Sequence, residues 1–339
     1  MVRRARLAVA LVTCSVLAGW LTSPAIAAGR EHIRVGVEVL DFDPLMDDGR
    51  PLTVVQGWND PSSLQPQYVQ DVSTASEGVV DQTVRRTTVI RDYPVKLGGF
   101  RFSNATYDAC LTAPPTDDCK ALIDYGAVLN SSFGAKSGSA CDALKRGNVN
   151  EVWLWGGPWF GYLEWLLVAP GSLCPAVRKP FVVMGFSYER GEPEMLHDLG
   201  HRAEGLVQSG IGLTLWDRFD GQRSRYGQDF ACPAQPDATH PEVDPATAHA
   251  GNVHFPPNAY CHYQYDRDFA VMSDADDWAN FPNLTGRRTL INSATWGGTQ
   301  RGFMIWWLGR FPRGEGSTQG VENDWWRYID MATRAPRSP

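Results

Sequence analysis

Residues Ile33 to Leu40 alternate valine and leucine with other side chains and then meet Asp41-Phe42-Asp43-Pro44, which reads as a strand ending in an acidic turn. Past the loop at Gly57-Trp58-Asn59-Asp60-Pro61, the apolar residues Leu64, Tyr68, Val69 and Val72 fall at helical spacing between Ser62 and Ser76, and Val84 to Ile90 is again β-branched. Strand, helix, strand is the unit that builds parallel sheets. Two further apolar runs continue it: Glu151 to Trp155, stopped by Gly156-Gly157-Pro158, and Pro180 to Phe186, stopped by Ser187-Tyr188-Glu189-Arg190-Gly191. A helix should start at once, because Pro193 suits the first helical position and Glu192 and Glu194 suit the positive end of a helix dipole. The pattern predicts an α/β fold in which residues 30–210 supply helices and a mostly parallel sheet of at least four strands.

From about Gly210 the periodicity fails. Residues 232–262 are rich in Pro, His and Ala, and the cysteines that bracket them favour a tied loop. Trp278, Trp296, Trp306, Trp307, Trp325 and Trp326 then crowd the last third, and residues 211–339 read as an irregular, Trp-rich cap on the sheet. With no repeat, heptad run or flexible linker, a single domain over 28–339 is expected.

Residues 1–27 have the form of a signal peptide: Arg3, Arg4 and Arg6, an apolar run from Leu7 to Leu21, and Ala25-Ile26-Ala27 ahead of cleavage near Ala28. The run is short for a membrane span and no later stretch is better, so a secreted protein without membrane insertion is expected. Loss of Cys14 with the leader leaves an even set of cysteines in an oxidising compartment, and three disulfides are the natural expectation. Pairing Cys110 with Cys119, Cys141 with Cys174 and Cys232 with Cys261 closes the shortest loops, while spacing alone leaves other connectivities open. The absence of Cys-x-x-Cys argues against thiolate zinc clusters. A net charge of −7, more acidic still without the leader arginines, argues against nucleic acid as a partner. Serine-hydrolase elbows, Walker loops and dinucleotide fingerprints do not occur where they would be needed.

The densest chemistry is His197-Asp-Leu-Gly-His201-Arg-Ala-Glu204, whose helical spacing puts His197, His201 and Glu204 in one stripe. Two imidazoles and a carboxylate are a zinc ligand set, and the pattern departs from the metalloprotease motif H-E-x-x-H by having Asp198 in place of Glu. Asp198 is the base by position, although one methylene shorter than Glu, and Glu189 is the substitute. His254 is the best ligand from elsewhere, and His240, His249 and His262 read as loop surface. Projection sets Met195, Leu196, Leu199, Ala203, Leu206 and Val207 nearly opposite the stripe, so the imidazoles face either solvent or a cleft closed by the aromatic last third. Gly200 favours the cleft, since a mid-helix Gly costs about 1 kcal/mol against Ala and suggests a close neighbour.

A second constellation is the aromatic stretch Trp153 to Trp165 around Glu164. Sugars stack on such faces, and Glu164 with Glu189 could be the carboxylate pair of a glycoside hydrolase, although Trp153 and Trp155 suit a core equally well. Ser273-Asp-Ala-Asp-Asp277 lacks EF-hand spacing and reads as a helix start. The lead expectation is a secreted metal-dependent hydrolase acting on a peptide, with zinc on His197, His201 and Glu204. The alternatives are a glycan-cleaving enzyme and a non-catalytic cell-wall or carbohydrate binder.

Glu151 to Glu164, Gly185-Phe-Ser-Tyr-Glu-Arg-Gly191 with Gly200-His-Arg-Ala-Glu204, and Asp276-Asp-Trp-Ala-Asn-Phe-Pro-Asn-Leu-Thr-Gly286 with Asn323-Asp-Trp-Trp326 resemble stretches shared by a group of uncharacterised exported bacterial proteins. The similarity spans most of the mature chain. It implies a shared fold and site and brings no activity with it.

Overall fold

The computed structural model describes residues 32–222 and 232–330, so the expected signal peptide and Cys14 lie outside the described residues. Five strands, β1 (Ile33–Phe42), β2 (Val80–Ile90), β3 (Glu151–Gly156), β4 (Trp165–Val168) and β5 (Phe181–Ser187), form one sheet in the order β2-β1-β3-β5-β4. All neighbours are parallel except β4, which runs antiparallel to β5 at the edge. The expected α/β class with a mostly parallel sheet is the one the chain adopts. The strand missed from sequence is β4, hidden among tryptophans and glycines that read as an aromatic loop.

In register, Val39 lies opposite Trp153 and Trp153 opposite Met184. Successive strand side chains go to opposite faces. Val37, Val39, Trp153, Trp155, Val182 and Met184 therefore enter one apolar cluster, and Leu40, Phe42, Val152, Leu154, Phe181 and Val183 the other. Both faces need cover, as parallel sheets do. The helices are α1 (Leu52–Gln56), α2 (Pro61–Ala75), α3 (Asn104–Thr112), α4 (Asp117–Lys120), α5 (Tyr125–Asn130), α6 (Ala140–Arg146), α7 (Glu192–Ile211), α8 (Leu213–Asp220), α9 (Gln300–Leu308) and α10 (Trp326–Ile329). Tyr68 of α2, Leu199 of α7 and Trp307 of α9 pack on the first face, and Tyr107 of α3, Leu129 of α5 and Leu144 of α6 on the second.

The last third is more regular than its sequence suggests. It contains the antiparallel pairs β6 (Val271–Ser273) with β7 (Thr289–Ile291) and β8 (Arg313–Thr318) with β9 (Val321–Asp324), besides α9 and α10. Its six tryptophans are core, none more than 8% exposed. Trp153 and Trp155 are also fully buried.

Helix α7 is set by a buried ion pair. The Arg202 Nη1 lies 2.6 Å from Glu151 Oε2 on β3, with both side chains buried. Arg202 Nε and Nη2 donate to the Ile329 carbonyl at 3.1 and 2.8 Å, and Trp153 Nε1 donates to Glu151 Oε1 at 2.7 Å. A buried pair is tolerable when its remaining donors and acceptors are occupied, as here. This network fixes the rotation of α7, and therefore where His201, the next residue back, must point.

The disulfides Cys110–Cys119, Cys141–Cys174 and Cys232–Cys261 join sequence neighbours, the pairing that closes the shortest loops. Among the described residues no helix is long and apolar enough to cross a membrane.

Candidate metal centre

Helix α7 leaves the carboxyl end of β5, the edge where open α/β sheets gather ligands. Glu192 and Glu194 occupy its first turn, and Pro193 sits one residue inside its start, where a missing N–H is harmless. His197 and His201 lie one turn apart with ring centroids 4.7 Å from each other. The third imidazole is His254, from the loop tied by Cys232–Cys261. One ring nitrogen from each of His197, His201 and His254 lies within 4.8 Å of the others.

His254 is placed by a tight turn. The Asn252 side-chain oxygen accepts from the His254 and Phe255 amides at 3.1 and 3.0 Å, and the Phe255 amide also returns to the Asn252 carbonyl at 3.2 Å. Gly251 has φ +76°, and a Cβ there would stand 2.2 Å from the Phe255 carbonyl oxygen, so only glycine fits. Trp307 Nε1 donates to the Gly251 carbonyl at 3.0 Å, and the Tyr265 hydroxyl to the Val253 carbonyl at 3.1 Å. The expected aromatic roof is therefore one layer removed: the disulfide-tied loop covers the histidines, and the Trp-rich segment braces that loop. Gly200 marks the contact, since a Cβ on it would meet Met304 Cε at 2.6 Å and Val253 Cγ2 at 2.7 Å.

Glu204, expected among the ligands, lies outside the group of three imidazoles and faces His201. Its Oε2 lies 3.2 Å from His201 Nδ1 and its Oε1 accepts from the Val253 amide at 3.1 Å. A proton on Nδ1 facing Glu204 leaves the Nε2 lone pair of His201 for the centre, the arrangement by which a carboxylate orients a metal-ligating histidine. His201 Nε2 is 3.1 Å from His254 Nε2, close to the separation of about 3.3 Å between two imidazoles on one tetrahedral zinc. The Tyr263 hydroxyl lies 3.3 Å from the same His254 nitrogen. His197 is 5% exposed, and its Nδ1 has no hydrogen-bond partner among the described residues.

Burial, then the neighbouring imidazoles, pushes the pKa of both His197 and His254 down to about 3, so both rings are neutral, the form that binds metal. For His201 burial pulls the same way, but the bond to Glu204 and the charges of Glu204 and Glu164 outweigh it and the pKa is raised.

A cleft of about 690 Å³ opens beside the cluster. Its walls include Trp159, Glu164, Arg190, His197, Asp198 and Tyr263. Asp198 is 9% exposed, and burial, with Glu164 and Glu194 adding to it, raises its carboxyl well above the carboxylate range. Glu164 is half-exposed, with Oε2 3.7 Å from His201 Nε2. Glu189 is not among the lining residues; its carboxylate lies 3.8 Å from Arg190 Nε. The contributions of Tyr263, Arg190 and Glu194 had no signal in the sequence beyond lying near the histidines.

The other histidines differ from their surface reading. His240 and His262 are buried, and His249 Nδ1 pairs with Asp274 at 2.9 Å. The acidic run 273–277 is structural: Asp277 accepts from the Thr285 and Gly286 amides at 2.8 and 2.7 Å, and Asp276 pairs with Arg310. No family model, curated protein or solved structure matches this chain.

Proposed function

We propose that this chain is an exported, metal-dependent hydrolase whose ion is held by His197, His201 and His254. The observation that carries the reading is the convergence of three ring nitrogens within 4.8 Å beside a cleft that His197 lines. Three imidazoles suit a borderline divalent ion such as zinc and leave a coordination position open for substrate or water. Such an ion would supply Lewis-acid polarisation of a carbonyl and activation of water. The chain supplies the rest: Glu164, within 4 Å of His201, takes the proton from the attacking water and hands it to the leaving group, and Asp198 lines the same cleft. Glu204 holds His201 in the ligating tautomer. Three disulfides support the export reading.

The test is metal analysis after dialysis of the full secreted protein beside a His201→Ala variant. Stoichiometric metal in the first and its loss in the second is the expected result; equal, negligible metal in both overturns the proposal. Glu164→Gln should keep the ion and lose turnover of the substrate found by screening, with chelation abolishing wild-type turnover.

A further inference from the structure

Two exposed aromatic side chains on the cleft sit on backbone that most residues avoid. Trp159 has φ +64° and is 38% exposed, and Tyr263 has φ +63° and is 44% exposed. Left-handed backbone at bulky residues costs on the order of 1–3 kcal/mol and persists only where surrounding structure enforces it, commonly at ligand sites. The enforcement at Trp159 is visible. Lys96, 0% exposed, donates from Nζ to the Trp159 carbonyl at 2.6 Å and to the Asp118 and Cys119 carbonyls at 2.8 Å. On the far side of Trp159, the Ile123 amide donates to the Gly161 carbonyl at 3.1 Å. A buried cation and a docked loop thus fix the backbone of Trp159 while the residue stays partly exposed to the cleft, an arrangement that lowers the ordering cost of binding something.

The remaining lining says what kind of molecule. Glu164, Glu194, Asp198, Arg190 and Gln300 offer donors and acceptors in one cleft, which a purely apolar ligand would leave unpaired. An extended peptide would be read along a free strand edge. Here β3 and β5 end at the cleft and each is paired on both sides, and the edge strand β4, which starts beside Glu164, is only four residues long, a short edge for a peptide to extend. A polyol ring, apolar on its C–H face and hydroxyl-rich at its rim, meets both features. We propose that the ligand of this cleft is a saccharide, with one pyranose ring stacked on the Trp159 indole and the Tyr263 ring bordering the same subsite. The proposal rests on the reading of this cleft as the substrate site and names its substrate class.

Binding is tested apart from the ion. The full secreted protein, dialysed against EDTA, is titrated with cellohexaose, chitohexaose and, for comparison, penta-alanine, following tryptophan fluorescence and calorimetry. Saturable binding of a hexasaccharide is expected, weakened on the order of tenfold in Trp159→Ala and held within about threefold in Trp159→Tyr, which keeps a stacking face. Three results would each overturn the proposal: no hexasaccharide binding, hexasaccharide binding unchanged in Trp159→Ala, or Trp159-dependent binding of penta-alanine in place of sugar. Saccharide binding in a protein that takes up no metal would sink the hydrolase reading and leave this one standing.

Discussion

Replacing Glu204 with Gln separates an orienting carboxylate from a ligating one. In the wild type, one oxygen of Glu204 faces His201 Nδ1 at 3.2 Å and the other accepts from the Val253 amide at 3.1 Å. Gln has nearly the same shape but a single acceptor oxygen. If that oxygen keeps the Val253 amide, the Gln NH₂ faces His201 Nδ1 and can only donate, which moves the imidazole proton to Nε2 and blocks the lone pair meant for the ion. If it turns instead to His201, the Val253 amide beside His254 loses its partner. Either way metal affinity should fall about 10–100-fold, or roughly 1.4–2.7 kcal/mol, the usual effect of losing a partner that orients a ligand. The assay is competition for zinc against a chelator of known affinity, with His201→Ala and His254→Ala as references. Both references should lose more than Glu204→Gln. Equal losses in Glu204→Gln and His201→Ala would show that Glu204 is itself a ligand, and unchanged affinity would show that it orients nothing; each outcome refutes the reasoning.

Glu192 is 3% exposed and shares the Arg301 guanidinium with Asp71, at 3.1 and 2.6 Å. Burial first, then the bond to and charge of Asp71, raise its pKa from 4.5 to about 8. The folded state therefore holds a proton that the unfolded chain releases, so this contribution to stability is complete below pH 4.5 and is lost as pH rises through 8. Urea midpoints at about pH 5 and about pH 9 should fall with pH in the wild type and much less in Glu192→Gln; parallel slopes would contradict this. Gly200→Ala should destabilise the protein, and weaken metal binding through Val253, although helix propensity alone predicts a gain of about 1 kcal/mol; a raised melting temperature would mean that Met304 and Val253 yield freely. Replacing both Cys232 and Cys261 with Ser should lower metal affinity roughly tenfold by releasing the loop that presents His254, while equal affinity would show that the Asn252 turn suffices.

Strand β1 was legible by its alternation, β3 and β5 by the apolar runs that burial on both faces produces, and the helix at 192–211 announced itself by Pro193 and its acidic first turn. Edge strand β4 was not, because four residues among Trp and Gly carry no period. The apolar arc of α7 was read correctly, but Arg202 at its flank is buried too, against Glu151, a partner 51 residues earlier that spacing cannot reveal. His197 and His201 were visible as a pair because both lie on one helix. His254 was named as the best ligand from outside the helix, but its place beside them ahead of Glu204 was not legible, since a loop residue depends on a disulfide and an Asn252 turn whose position relative to α7 exists only in three dimensions. The tryptophans of the last third were read as an irregular cap because aromatic density without periodicity hides short elements, and they fill the core between such elements.

The guanidinium of Arg202 is capped by a carbonyl 127 residues further along the chain. At about 5–20 residues per second, a ribosome needs roughly 6 to 25 s to deliver Ile329 after Arg202. Until then the helix that carries two of the histidines has a desolvated cation without its full complement of acceptors, and native docking on β3 is disfavoured. A nascent polypeptide that postpones its own closure in this way stays open until the segment around Ile329 has emerged.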